Sequence, residues 1–183
     1  MPVALLIGIF VVAAVATLGD WVWYTFDVRH GMAAGIIHGA LLLTVVGGAL
    51  GAAAGRTARG VPIGTLAGIG AALAYYVILA LTGGETYGAS IPAAWIVMWL
   101  LLATLEGRWL RAPQCRSWRE IAARGALAAL LGGVAFYLEL GTLWGAPPER
   151  GRNYVVQFAA WTFAWAPGLL ALGAGRPSAA GHA

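Results

Sequence analysis

Ionisable residues are rare in this chain, and two pairs of them share one spacing. Asp20 ends an apolar run as Gly19-Asp20-Trp21-Val22-Trp23-Tyr24, and His38 opens His38-Gly39-Ala40-Leu41 eighteen residues later. Glu106 occupies the like place in Glu106-Gly107-Arg108-Trp109, and Arg124 opens Arg124-Gly125-Ala126-Leu127 at the same distance. Each unit continues to a glycine pair, Gly47-Gly48 and Gly132-Gly133. Helical spacing places Asp20, His38 and Glu139 at comparable depth. Two carboxylates and an imidazole can hold a cation or relay a proton, since imidazole changes charge near neutral pH. The plainer reading is an Asp20–His38 hydrogen bond that ties two helices together. Glu106 and Arg124 read as a structural ion pair, because charges inside a membrane tend to lock helices to one another.

Other chemistries find little footing. One histidine and two carboxylates make the ligand set of a facial triad, but here they would come from three helices. No second histidine shares a face with His38, so neither a metal nor any other cofactor is predicted. There is no Gly-x-Ser-x-Gly. Ser90 opens a helix and Ser117 lies among arginines, so nucleophilic catalysis has no visible base, and the chain leans away from being an enzyme. The single Cys115 excludes an intramolecular disulfide and any Cys-x-x-Cys site. The net charge of +4 comes from eleven Lys+Arg, all of them arginine, against seven acids. These arginines sit between apolar runs and form no basic face, so no nucleic-acid partner is predicted.

The elements that must position these groups follow from composition. The chain has 183 residues, of which 61% are hydrophobic and 10% charged, with mean hydropathy +0.80. Soluble domains carry about 25% charged residues, so the solvent here is lipid. A hydrocarbon core about 30 Å thick takes ~20 apolar residues per helix. Six segments meet that length: 4–24, 31–54, 61–82, 90–108, 120–142 and 154–173. Pro62 and Pro92 are expected in first turns, where a missing N–H is harmless, and Pro167 is expected to kink the sixth span. The fold class is an all-α integral membrane protein of six transmembrane helices. It forms a single bundle over 1–173, followed by a flexible tail over 174–183. The first run lacks the basic residues of a secretory signal, so it is expected to stay as a span.

Arginine placement sets the orientation. With six spans, one side collects Arg56, Arg59, Arg108, Arg111, Arg116, Arg119, Arg124 and Arg176, and the other only Arg29, Arg150 and Arg152. This bias predicts a plasma (inner) membrane protein with both termini in the cytoplasm. If the eighteen-residue spacing marks a duplication, with repeats over 1–84 and 88–173, three spans per unit make the second copy inverted. That plan recurs among transporters, whose binding sites lie at the repeat interface.

Faces follow from spacing. Ile9, Ala13, Ala16, Thr17 and Asp20 share one side of span one and are expected inward. Gly47, Gly51 and Gly55, and then Gly60, Gly64 and Gly68, make small-xxx-small ridges that let helix backbones approach. Trp95, Trp99, Leu102 and Glu106 share a face of span four. Tyr154, Gln157, Trp161 and Trp165 share one of span six. Trp21, Trp23, Trp109 and Trp144 suit an interfacial belt, whereas Trp99 and Trp161 lie deeper, as core or as the wall of an apolar pocket. The ligand- or ion-binding candidates are therefore Asp20, His38, Glu139, Trp23, Trp99, Trp161 and Gln157.

In size, span number and buried aromatics the chain resembles the substrate-binding subunit of vitamin-uptake transporters. The segment from Trp161 to Pro167 resembles the tryptophan-rich small translocator proteins. These likenesses imply binding of a small molecule within the bilayer. Three functions stay open: a permease or substrate-binding membrane protein for a small cationic, aromatic or apolar molecule; an accessory subunit of a larger membrane complex; and an intramembrane enzyme on a lipid or isoprenoid. The expected partners are the bilayer, a small-molecule ligand, and a membrane protein or a second copy of the chain.

Overall fold

The computed structural model describes residues 3–27, 31–83, 87–143 and 153–173. They form an all-α bundle of six helices, each long and apolar enough to cross a membrane. In chain order these are α1 (Val3–Thr25), α2 (Met32–Ala53), α3 (Thr57–Leu81), α4 (Tyr87–Leu105), α5 (Trp118–Leu143) and α6 (Tyr154–Gly173). A single wide π turn, Glu106–Leu110, extends α4. The segment 174–183, expected to be a flexible tail, lies outside the described residues.

Each helix packs on its neighbours in sequence, and α1 closes the circuit against α6. One end of the bundle gathers Asp20, His38 and the start of α6. The other gathers the π turn, the start of α5 and Arg56. The centre is filled by side chains with almost no exposure, among them Leu5, Val12, Val46, Ile63, Trp99, Leu102, Trp165 and Leu169. Ile9, Ala13 and Ala16 are buried as their spacing predicts.

The α2–α3 pair is the closest. A Cβ on Gly64 would stand 1.8 Å from the Leu43 carbonyl oxygen, one on Gly60 2.1 Å from that of Gly47, and one on Gly68 2.2 Å from that of Gly39. Only bare backbones fit at these distances, which gives dispersion and packing their grip where lipid supplies no hydrophobic drive. The Thr44 and Thr65 hydroxyls meet at 2.6 Å across the same seam. Gly55 leaves the expected ridge. It has φ +68° and open space around it, so it serves the turn after α2, where the left-handed conformation suits glycine. The helices also start earlier than the proline positions implied. Pro62 and Pro92 are each the sixth residue of their helix rather than first-turn residues, and α6 continues through Pro167.

The residues behind the apparent repeat do not play matching parts. Gly47 faces the backbone of α3, whereas Gly132 faces Trp95 and Trp99 of α4. Asp20 bonds across to α6, whereas Glu106 bonds to the segment just after its own helix.

Candidate functional site

Asp20 lies one turn from the end of α1, on the stripe that carries Ile9, Ala13 and Ala16 into the bundle. The α6 face that meets it begins with Gln157, which is buried. Its amide nitrogen donates to Oδ2 of Asp20. One turn further along α6, the Trp161 indole N–H donates to the same oxygen at 2.6 Å. Lipid offers no hydrogen bonds, so a carboxylate at this depth needs such donors. Phe10 and Phe158 stack at 6.3 Å on the same helix pair.

His38 faces this group from α2. Its Nδ1 accepts the Trp23 indole N–H at 3.2 Å, and the rings meet edge to face at 5.7 Å. An accepting Nδ1 puts the proton of the neutral ring on Nε2. Gly19 makes room for the imidazole, since a Cβ there would lie 2.7 Å from His38 Cε1. The Asp20 charge acts on His38 through space. Of the expected trio, Asp20 and His38 come together. The side chain of Glu139, on α5, lies outside the described residues. Among the described residues no three acidic, histidine or cysteine side chains cluster as a metal site would require. Trp23, both a belt residue and a ligand candidate by its position, donates its indole N–H into this polar group.

At the opposite end Glu106 is buried, and its two oxygens are taken by Arg111 Nε at 2.7 Å and Arg116 Nε at 3.2 Å. The π turn makes this reachable: Arg111 N–H bonds the Glu106 carbonyl five residues back, which widens the helix and swings the following segment beneath it. Arg116 also pairs with Glu120, which in turn accepts from Arg124 Nε at 3.0 Å. The expected Glu106–Arg124 pair thus takes the form of a chain through Arg116 and Glu120. Arg116 and Arg124 also donate to the carbonyls of Leu172 and Ala171, at 3.4 Å and 3.0 Å, and so satisfy the end of α6. Arg56 reaches from the α2–α3 turn to the carbonyls of Leu110 and Ala112, at 2.6 Å and 2.5 Å. Every one of these groups is engaged in holding helix ends together.

Between α4 and α5 a lateral groove of about 690 Å³ opens on the lipid-facing side. Its walls include Pro92, Trp95 and Ile96 from α4 and Leu130, Gly133 and Val134 from α5. Behind Trp95 stands an aromatic array. Phe136 stacks on it at 4.6 Å, and Trp165 and Trp99 follow at 5.2 Å and 6.0 Å. Trp161 borders both Phe136 and Trp165, so the array reaches back to Asp20. The indole nitrogens of Trp95, Trp99 and Trp165 are buried and have no hydrogen-bond partner among the described residues. An unmet buried donor costs about 1–3 kcal/mol. Gly132 lets two of them approach: a Cβ there would lie 3.0 Å from Trp99 Nε1 and 3.4 Å from Trp95 Nε1.

Trp99, a ligand candidate, is wholly buried and does not line the groove. Trp95 does, whereas its spacing says only that it shares a helix face with Trp99, Leu102 and Glu106. The signal that marks it is a pair of tryptophans four apart on one helix, facing a glycine pair on the next. No protein-family model, curated protein or solved structure matches this chain.

Proposed function

We propose that this six-helix protein binds an apolar or aromatic small molecule that enters sideways from the bilayer between α4 and α5. The observation that carries the reading is the α4–α5 groove, apolar along its walls and floored by the ring of Trp95. Ligand pockets of about 300–1,000 Å³ with mainly hydrophobic and aromatic walls suit molecules of drug or lipid size. The opening faces lipid, so the ligand partitions into the membrane first. The enzyme reading needs acid–base groups at the base of such a pocket, and Asp20 and His38 do not line it. The arginine bias supports a plasma-membrane location with the Glu106 end in the cytoplasm.

The test uses a brominated alkane, which quenches nearby indoles, on purified protein in detergent. Saturable quenching is expected, and it should vanish in Gly133→Leu, where a larger side chain fills the groove while a Cβ still clears Trp95 at 3.5 Å. Quenching that rises without saturation, equally in both proteins, sinks the proposal.

A further inference from the structure

The end of the bundle that carries the π turn is strongly basic. Seven arginines stand there against two carboxylates, Glu106 and Glu120, among the described residues. Arg111, Arg116 and Arg124 pair with those carboxylates, and Arg56 donates to two carbonyls. Arg59, Arg108 and Arg119 are left, and none of their guanidiniums meets an acceptor among the described residues. Arg108 differs from the other two in being held in place. Its Cζ lies 5.0 Å from the centroid of the Trp118 ring. Such a contact positions a guanidinium but gives its N–H donors no acceptor oxygen. Trp118 opens one spanning stretch and Trp109 stands beside the end of the one before it. They are 62% and 57% exposed, as indoles at the headgroup level are. Arg119 follows Trp118 directly and is exposed.

We propose that Arg108, Trp118 and Arg119 form a binding site for the phosphate of one anionic phospholipid. The guanidinium fork matches phosphate oxygens in pairs, and the two indoles set the depth at which a headgroup meets it. Basic clusters at the end of a membrane span attract anionic lipids. A zwitterionic lipid offers the same phosphate, but its own ammonium competes for it and is repelled by the surplus of arginine. A soluble phosphate lacks the acyl chains that keep a headgroup at the level of the rings. None of the three residues lines the α4–α5 groove, so the proposal stands apart from the lateral-entry reading.

The experiment titrates full-length protein, stripped of lipid in detergent, with phosphatidylglycerol or with phosphatidylcholine of the same chains. Native mass spectrometry counts the lipid bound. One phosphatidylglycerol should bind roughly five- to twenty-five-fold more tightly, about fivefold for each arginine. Arg108→Gln and Arg119→Gln should each lower that preference about fivefold. The melting temperature of the lipid-free protein should stay unchanged in both, because neither guanidinium bonds to the bundle. Trp118→Leu keeps every charge and removes the ring under Arg108. It should lower the preference in the unaltered protein and add nothing to Arg108→Gln, since the two act as one unit. Arg59→Gln removes an equally unpaired charge outside the site and should leave the preference in place. A loss with Arg59→Gln as large as with Arg108→Gln would mean that diffuse charge attracts the lipid, and overturns the site. Equal affinity for the two lipids overturns it as well. Displacement of the lipid by excess glycerol phosphate would assign the arginines to a soluble anion and overturn the lipid assignment.

Discussion

Trp161 donates its indole N–H to Asp20 at 2.6 Å, although the two residues are 141 positions apart. This bond, with the Gln157 donor on the same oxygen, closes the helix circuit by joining the first span to the last. Asp20→Ala leaves the buried Gln157 amide and the half-buried Trp161 indole without this acceptor and should cost about 2–3 kcal/mol. Asp20→Asn keeps an acceptor oxygen and should cost less. Trp161→Phe combined with Asp20→Ala should be clearly less than additive, because the two substitutions remove one shared interaction. Reversible unfolding in mixed micelles reads these differences, and full additivity would mean that the bond contributes nothing.

The two carboxylates at the opposite end should behave unequally. Glu106 and Arg116 have side chains 5% and 4% exposed, whereas Glu120 is 41% exposed. Glu106→Gln removes the one buried carboxylate that faces Arg116 and leaves that guanidinium only the half-exposed Glu120, and breaking a buried pair typically costs about 3–5 kcal/mol. Glu120→Gln breaks partly solvated pairs and should cost about 1 kcal/mol or less. The same unfolding assay separates them. Equal losses would show that exposure does not govern this network.

Much of the fold was legible because lipid imposes a simple rule. A run of about twenty apolar residues between charges is a span, and the helix bounds fall within a few residues of those expected. The partners of the charges were less legible. Periodicity puts Asp20 on an inward face and Gln157 with Trp161 on another, but it does not say that these two faces meet. That depends on α1 packing against α6, which no local pattern encodes. Glu106 was paired with Arg124 by matching spacing. The π turn instead brings Arg111 and Arg116 beneath it, and a five-residue widening leaves no signature in composition. The groove has no signature in the sequence, because its walls are ordinary apolar residues of α4 and α5 and only the arrangement of the two helices makes them concave.

The glycine seam between α2 and α3 should be sharply position-dependent. Gly64→Ala drives a methyl into the Leu43 carbonyl, and only separation of the two backbones can relieve a 1.8 Å approach. Gly48 lies on the same helix as Gly47, yet a Cβ there would meet only Val61 Cγ2, at 3.9 Å. Gly48→Ala should therefore be neutral or stabilising by up to about 1 kcal/mol, the helix propensity gained over glycine. Gly64→Ala should lower the yield of folded protein or its melting temperature markedly. Similar outcomes for the two substitutions would place the closest helix contact elsewhere.

Orientation can be read from the chain's one thiol. Cys115 is exposed, in the segment between the π turn and α5, and its Sγ lies 3.2 Å from the Arg108 carbonyl. It therefore shares an end with Arg56, Arg108, Arg111, Arg116, Arg119 and Arg124. If the positive-inside rule sets the topology, a membrane-impermeant maleimide should label Cys115 in inside-out vesicles and leave it untouched in intact spheroplasts. Detergent should make labelling equal in both. A serine transplanted to this position, Cys115→Ser, removes the background, and a new cysteine at Gly83, in the turn after α3 at the opposite end, should label with the reverse sidedness. Labelling of Cys115 from outside would invert the bundle. It would also turn the arginine network into a feature of the outer leaflet, where the surface potential no longer favours it.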